Sequence, residues 1–590
     1  MGEMSTDPQP PTSAEGRAAR ERFDLLARDY LAESLRLQPT LASSLGFHPH
    51  DGELEDLSPA GLTSAIASLQ RFQARLEKEV EPGGLDLSRR IDHRLLLEDV
   101  TASRFRLEEL ESHRWDPSVY NEILGYSTLF LTLLPEGAAE WPERIESLAS
   151  RLRRFPDLLR AARENLAEPS RVHVDYVIGA NRANIAFLEA SLPVLAEHIP
   201  ALRGELLAAG EIALGATRDY QAWLEHDLRS RAGRRWRLGR QLWERKLRFT
   251  LQSDLAPDEI WRRAEQGLRA EREAMLEIAE PLHARYFPAH SHDETGEARI
   301  DKIVSEVIAR ISDQHSQPAT ILADVERWVR KVRTFLRGAD LVTLPPETDA
   351  FVVEPTPGFL DGLAVAFFNP PPAFEPHLKK SFWISSVEGK PDEFVRSYLR
   401  EYNDCALQNL TIHEAFPGHY VQFWHALNSP VASIYKKVFS SSTFAEGWAV
   451  WAEKLVYASG YADGEPENLL IHKKMQLRTY INAMLDQRFH VASPQEVPDE
   501  ELEDWALDLM CRQGFQEEAE ATGKMRRAKV SSTQLSTYFV GYLEIADLAE
   551  AARRAAGAGF RPRAFHDRLL SFGTIPPREV RRLLQEEGVL

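Results

Sequence analysis

The chain has 590 residues, 43% apolar and 27% charged, enough for a sizeable soluble core and too long for one small domain. Acidic side chains outnumber basic ones by 90 to 71, and the net charge of −19 excludes a protein that coats nucleic acid or sits on anionic lipid through a basic face. Only two cysteines occur, which excludes a disulfide framework or a cysteine-rich zinc module and leaves metal chemistry to the 18 histidines.

In chain order, residues 1–20 are polar and proline-rich without an apolar leader, which predicts a disordered tail and a cytoplasmic location. No run approaches the roughly 18 apolar residues of a membrane span, so no integral membrane segment is expected. Residues 21–340 read as helical. Ile145, Leu148, Leu152 and Phe155 recur at three- and four-residue steps on one face, and Pro156 suits the first turn of a following helix. Arg229 to Arg240 reads as a solvated basic helix face. Another helix is expected to start at Pro257, with Asp258 and Glu259 at the positive end of its dipole. His290 and His292, between Pro288 and Asp293, sit among turn residues and predict a loop rather than a metal tract.

From 341 to 390 prolines cluster and separate short β-like runs at 350–354, 363–368 and 381–387, which predicts a small sheet set into a mainly α protein. Helical texture resumes near Glu393. The expected organisation is therefore a tail (1–20), a helical part (21–340) and a catalytic part (341–590), the last two intertwined in one body.

The chemistry concentrates in the stretch from Thr411 to Gln422, which contains His413, Glu414 and His419. In zinc hydrolase helices of the H-E-x-x-H type, two histidines one turn apart bind one ion and the glutamate takes a proton from water. Here the second histidine comes six positions after the first, and a straight helix would rotate it about 240° away. Pro417-Gly418 is the device that can absorb two extra residues, as a bulge returning His419 to the same face. Downstream, Glu446 and Glu453 share a face of an apolar helix, where buried carboxylates need a cation or hydrogen-bond donors. Glu446 is then the third ligand of one Zn²⁺, and Glu453 the acceptor that orients a ligand histidine. Two histidines and one glutamate leave a position open for water, as in catalytic sites. Arg478, Arg526 and Arg527 are candidate anchors for a substrate carboxylate.

The segments HEAFPGHYVQ and AEGWAVWAEKL resemble a large bacterial family long labelled a domain of unknown function, with the signature H-E-A-x-P-G-H-H followed by E-G-W-A-x-Y-x-E. That family is similar to the gluzincin metallopeptidases, especially angiotensin-converting enzyme and the carboxypeptidase Taq group. The resemblance extends over most of the chain: Asp486 to His490 is similar to its D-x-G-L-H stretch, and Gln534, Tyr538 and Gly541 match its P-G-Q-A-x-S-Y-x-x-G motif. The chain departs from the pattern at Tyr420, where the family has a second tandem histidine, at Ser532-Thr533 in place of Pro-Gly, and at Arg488 in place of glycine.

The resemblance implies a large helical body enclosing a groove, with the 363–368 strand pairing with a peptide main chain. It implies Glu414 as general base and Tyr538 and His490 as donors to the oxyanion. The expected function is a zinc metallopeptidase acting on short peptides. Two alternatives stand beside it: a zinc amidohydrolase for non-peptide amides, and a non-catalytic helical binding protein with a vestigial metal site.

Overall fold

The computed structural model describes residues 14–133, 140–356, 366–385, 387 and 389–590. It is mainly α, as expected, with one three-stranded sheet among the described residues. The first helix begins at Ala14, inside the segment expected as a tail, and residues 1–13 lie outside the described residues. No helix among the described residues is long and apolar enough to cross a membrane.

The chain forms two compact units. The first comprises Met1–Trp236, Pro371–Lys379 and Ala432–Phe439, and the second the remainder. In the first unit, Leu148, Leu152 and Phe155 are buried in one cluster with Leu192, Leu206 and Tyr220. The helix carrying them runs unbroken from Trp141 to Asn165, so Pro156 lies inside it and does not start a new one. Proline there removes one internal hydrogen bond, and burial of the residues on both sides keeps the helix continuous.

In the second unit, the predicted helix opens at Pro257 and runs to Tyr286. The basic stretch before it is not a solvated helix face: Arg229–Arg231 is helical, the next helix starts only at Arg240, and Arg237 between them is buried, pairing with Asp499 and donating to the carbonyls of Ala492 and Val497. Arg231, Arg235 and Arg240 of the same stretch stay exposed, so composition alone hid the one that folds inward.

The sheet has the order β1–β3–β2, with β1 Phe351–Pro355, β2 Ala366–Asn369 and β3 Lys380–Ile384. β3 is central and fully buried, parallel to β1 and antiparallel to β2. Expected strand residues 363–365 lie outside the described residues. The sheet rests on the helix His419–Asn428 through Tyr420, whose ring stacks on Phe351 at 4.4 Å and whose hydroxyl donates to Asp349 at 2.6 Å. Tyr420 is thus a packing position in this chain.

Two further helices complete the frame, Ser442–Ala458 and Ser536–Ala556. They touch backbone to backbone at Gly447 and Gly541. A Cβ on Gly447 would lie 2.4 Å from Gly541 Cα, and one on Gly541 would lie 1.9 Å from Thr443 O. This approach brings Glu446 and Tyr538 into the same neighbourhood.

Candidate metal centre

His413 lies in the last turn of the helix Asp404–Glu414, which Asn403 caps by accepting from the backbone of Cys405 and Ala406. The chain does not bulge and continue, as the spacing suggested. It leaves the helix after Glu414, passes a cis Phe416-Pro417 bond, and begins a second helix at His419. Gly418 makes this reversal possible: its nitrogen donates to Ile412 O at 3.0 Å, and a Cβ there would lie 1.8 Å from His413 O. Trp448, fully buried, clamps the turn by donating from Nε1 to Pro417 O at 2.9 Å.

The result gathers His413, His419 and Glu446, with all three ligand atoms within 4.8 Å of one another. His413 Nε2 and His419 Nε2 each lie 3.6 Å from Glu446 Oε2, and the two rings stand nearly perpendicular at 4.9 Å. Glu446 Oε2 is shielded from solvent and has no hydrogen-bond partner. On the other edge of His413, Nδ1 donates to Glu453 Oε1 at 2.6 Å, which places a proton on Nδ1 and, in the neutral ring that a metal would bind, leaves the Nε2 lone pair facing Glu446. Two electron-rich atoms directed at each other in a buried site fit a cation between them.

Glu453 is itself held from two sides, accepting from Asn409 Nδ2 at 2.9 Å and Gln476 Nε2 at 2.8 Å. His472 continues the chain of bonds, its Nδ1 donating to Asn409 Oδ1 at 2.8 Å. Burial, with Lys454 and Lys473 nearby, pushes the His472 pKa well below the ordinary value and keeps it neutral. Sequence reasoning missed Asn409, His472 and Gln476. Asn409 had a signal, since it lies one turn before His413 on the same helix face.

Glu414 is buried and accepts from the backbone nitrogen of Phe368 on β2 at 2.9 Å. Burial raises its pKa above the usual carboxylate range, against the opposing pull of His413 and His419. Burial also opposes charge on Glu446, but the two histidines outweigh it and hold that carboxyl well below its usual range. For His413 burial favours the neutral ring, and Glu446 and Glu453 outweigh it and raise the pKa.

Tyr538 lies at the cluster, its ring 6.5 Å from that of His413. Burial and the charge of Glu446 raise its pKa, so the hydroxyl keeps its proton. Arg527, exposed, donates from Nη2 to Tyr538 Oη at 3.2 Å and to Gln534 Oε1 at 2.7 Å. The loop before Tyr538 holds its shape with a non-glycine residue at positive φ. Thr533 takes φ 70°, with its nitrogen donating to buried Asp486 at 2.6 Å.

Two expected site residues are employed elsewhere. His490 is buried, with Nε2 bonded to Ala528 O at 2.8 Å, so its donor serves helix packing rather than an oxyanion. Arg478 is buried in an ion network with Glu401, which also pairs with Lys474 at 2.9 Å, and is not an open substrate anchor. The loop containing His290 and His292 is a loop, as read, yet both side chains join His283 and Glu306 in a second cluster of potential ligands.

A family model described as "Bacterial protein of unknown function (DUF885)" matches residues 39–584. The solved structure of a "putative lipoprotein of unknown function" from Shewanella oneidensis is 28% identical, with a TM-score of 0.80 over 95% of this chain and 99% of that one. A "putative lipoprotein" from Colwellia psychrerythraea, 16% identical, shares the fold with a TM-score of 0.77 over 97% of this chain and 99% of its own. No curated protein matches the chain. The descriptions of the two neighbours overturn the cytoplasmic expectation. That expectation rested on a polar N-terminus, which does not decide location.

Proposed function

We propose, from the premise that this chain belongs to the bacterial DUF885 family of unknown function, that it is a zinc-dependent hydrolase of gluzincin type that cleaves short peptides. The observation carrying this reading is the buried, unpartnered Glu446 Oε2 facing the Nε2 atoms of His413 and His419, with the Glu414 carboxylate beside them. Two imidazoles and one carboxylate suit zinc and leave coordination open. When bound, the ion supplies Lewis acidity, acidifying water and polarising a carbonyl.

The chain's own groups supply the rest. Phe368 N–H fixes one oxygen of Glu414, and the other takes the proton of the attacking water and returns it to the leaving amine. Tyr538 Oη, held by Arg527, donates to the developing oxyanion. Arg527 is the candidate anchor for a substrate carboxylate nearest Tyr538. Since Phe368 N–H points away from β3, Ala366 two residues earlier points the same way, and this edge of β2 can pair with a peptide main chain. The Shewanella oneidensis neighbour's description as a lipoprotein supports an exported or surface-held setting.

The test is a peptide-library digest with the purified full chain, read by mass spectrometry, beside metal analysis of His413→Ala. Cleavage is expected to stop on chelation and in the variant, which also loses its stoichiometric zinc at this site. A library left intact by zinc-loaded protein would reject the peptidase, and full zinc in His413→Ala would reject the ligand set.

Glu453→Ala is expected to weaken zinc binding about 10- to 100-fold, because His413 loses the acceptor that sets its tautomer and ring angle. It also leaves the buried donors of Asn409 and Gln476 unpaired, at about 1–3 kcal/mol each. Chelator competition reads the first effect and thermal unfolding the second.

A further inference from the structure

The second histidine cluster lies at the junction of the helices Pro257–Tyr286 and Gly296–Ile311 and includes the loop between them. His283 comes from the end of the first helix and Glu306 from the middle of the second, with His290 and His292 in the loop. His283 Nε2 lies 2.8 Å from Glu306 Oε2, His292 Nε2 lies 3.2 Å from the same oxygen, and the two nitrogens are 3.1 Å apart. His290 Nδ1 approaches that oxygen at 3.6 Å.

Protons alone do not satisfy this triangle. A carboxylate oxygen only accepts, and each Nε2 carries at most one hydrogen. If both nitrogens donate to Glu306, no hydrogen lies between them, and their two N–H groups crowd at 3.1 Å. If either donates to the other instead, the acceptor ring turns a lone pair toward the carboxylate. One cation at the centre resolves all three contacts. The edge of a tetrahedron with zinc–nitrogen bonds near 2.05 Å is about 3.3 Å; the four contacts above, at 2.8–3.6 Å, bracket it, and all four ligand atoms lie within 4.8 Å of one another.

The surroundings also suit a ligand set. Glu306 Oε1 pairs with Lys302 at 2.9 Å, leaving Oε2 as a single donor. Glu294 lies 3.4 Å from His292 Nδ1, so the proton of that ring belongs on Nδ1 and the lone pair on Nε2, the arrangement a metal needs. Phe287 stacks on His290 at 5.1 Å and fixes its ring.

We propose that His283, His290, His292 and Glu306 form a second metal site, separate from the His413 cluster, that takes Zn²⁺ or a similar divalent transition ion. Four protein ligands make it a closed, structural site that ties the loop to both helices. Three imidazole nitrogens select against magnesium and calcium, which take oxygen ligands.

The test uses the full chain, loaded with zinc, freed of excess ion and counted by elemental mass spectrometry. His290→Ala/His292→Ala, both in the loop, is expected to lose one zinc per chain relative to the unsubstituted protein. In a His413→Ala/His419→Ala background, added Co²⁺ is expected to give the intense visible bands of a tetrahedral site, and adding His292→Ala should abolish them. His290→Gln, at a half-exposed position, controls for folding and is expected to weaken zinc binding by more than about tenfold. An unchanged zinc count in the double loop variant overturns the proposal, as does cobalt that shows only its aqueous spectrum in the His413→Ala/His419→Ala background. These outcomes are independent of whether the first cluster binds metal.

Discussion

Glu414→Gln is expected to abolish turnover, lowering kcat by on the order of 10²–10⁴-fold while the protein keeps its zinc. The substitution keeps nearly all the atoms in place. The amide oxygen still accepts from Phe368 N–H, so the link between the His413 helix and β2 survives. His413, His419 and Glu446 are untouched, and metal content should match the parent. What disappears is the ability to take and return a proton. A side reading of Glu414 as a packing residue predicts the opposite pattern, reduced stability with residual turnover. Measuring kcat and metal content on the same preparation separates the two, and an unaffected rate removes Glu414 from the chemistry.

The second large effect is expected at Gly418→Ala. A methyl group at this position would meet His413 O at 1.8 Å and Ile412 O at 2.4 Å, both backbone atoms of the preceding helix. Neither can swing aside as a side-chain tip would, so the turn must open, at a cost of at least about 3 kcal/mol. Opening it breaks the Gly418 N–H bond to Ile412 and pulls the Trp448 clamp off Pro417. It also moves His419 relative to His413, so metal content should fall along with the melting temperature. A variant that melts like the parent and retains full zinc would show that the reversal tolerates a side chain.

These two expectations rest on residues that the chain order announces. His413, Glu414 and His419 are close in sequence, and the mismatch of their spacing with a helical turn points to Pro417-Gly418 as the adjusting element. The physical form of the adjustment was not legible: a kinked single helix and two helices joined by a reversal share the same residues. Glu453 was readable because a carboxylate among tryptophan and valine needs a partner, and His413 Nδ1 is one. The partners of His490 and Arg478 were not legible for a common reason. Both sit on the helix Pro466–Val491, which is buried on nearly every face, so periodicity does not tell which polar side chains turn toward the cluster and which meet another helix. The second histidine cluster was hidden differently. His290 and His292 were visible as a pair, but His283 and Glu306 belong to flanking helices whose crossing angle no local pattern encodes. The sheet was legible from its prolines and β-branched runs, whereas β3's central position, with β1 parallel and β2 antiparallel, follows from a crossover that short strands do not specify.

The backbone contact between Gly447 and Gly541 carries a consequence for sequence variation. When a residue in a core enlarges, a neighbour can often shrink in exchange, and families drift through such paired changes. Here both partners are already the smallest residue there is, and the atoms they would meet belong to main chain. A suppressor screen started from either alanine variant has nothing left to trim at the opposite position. Revertants should return to glycine itself, since this crossing has no compensating exchange to offer.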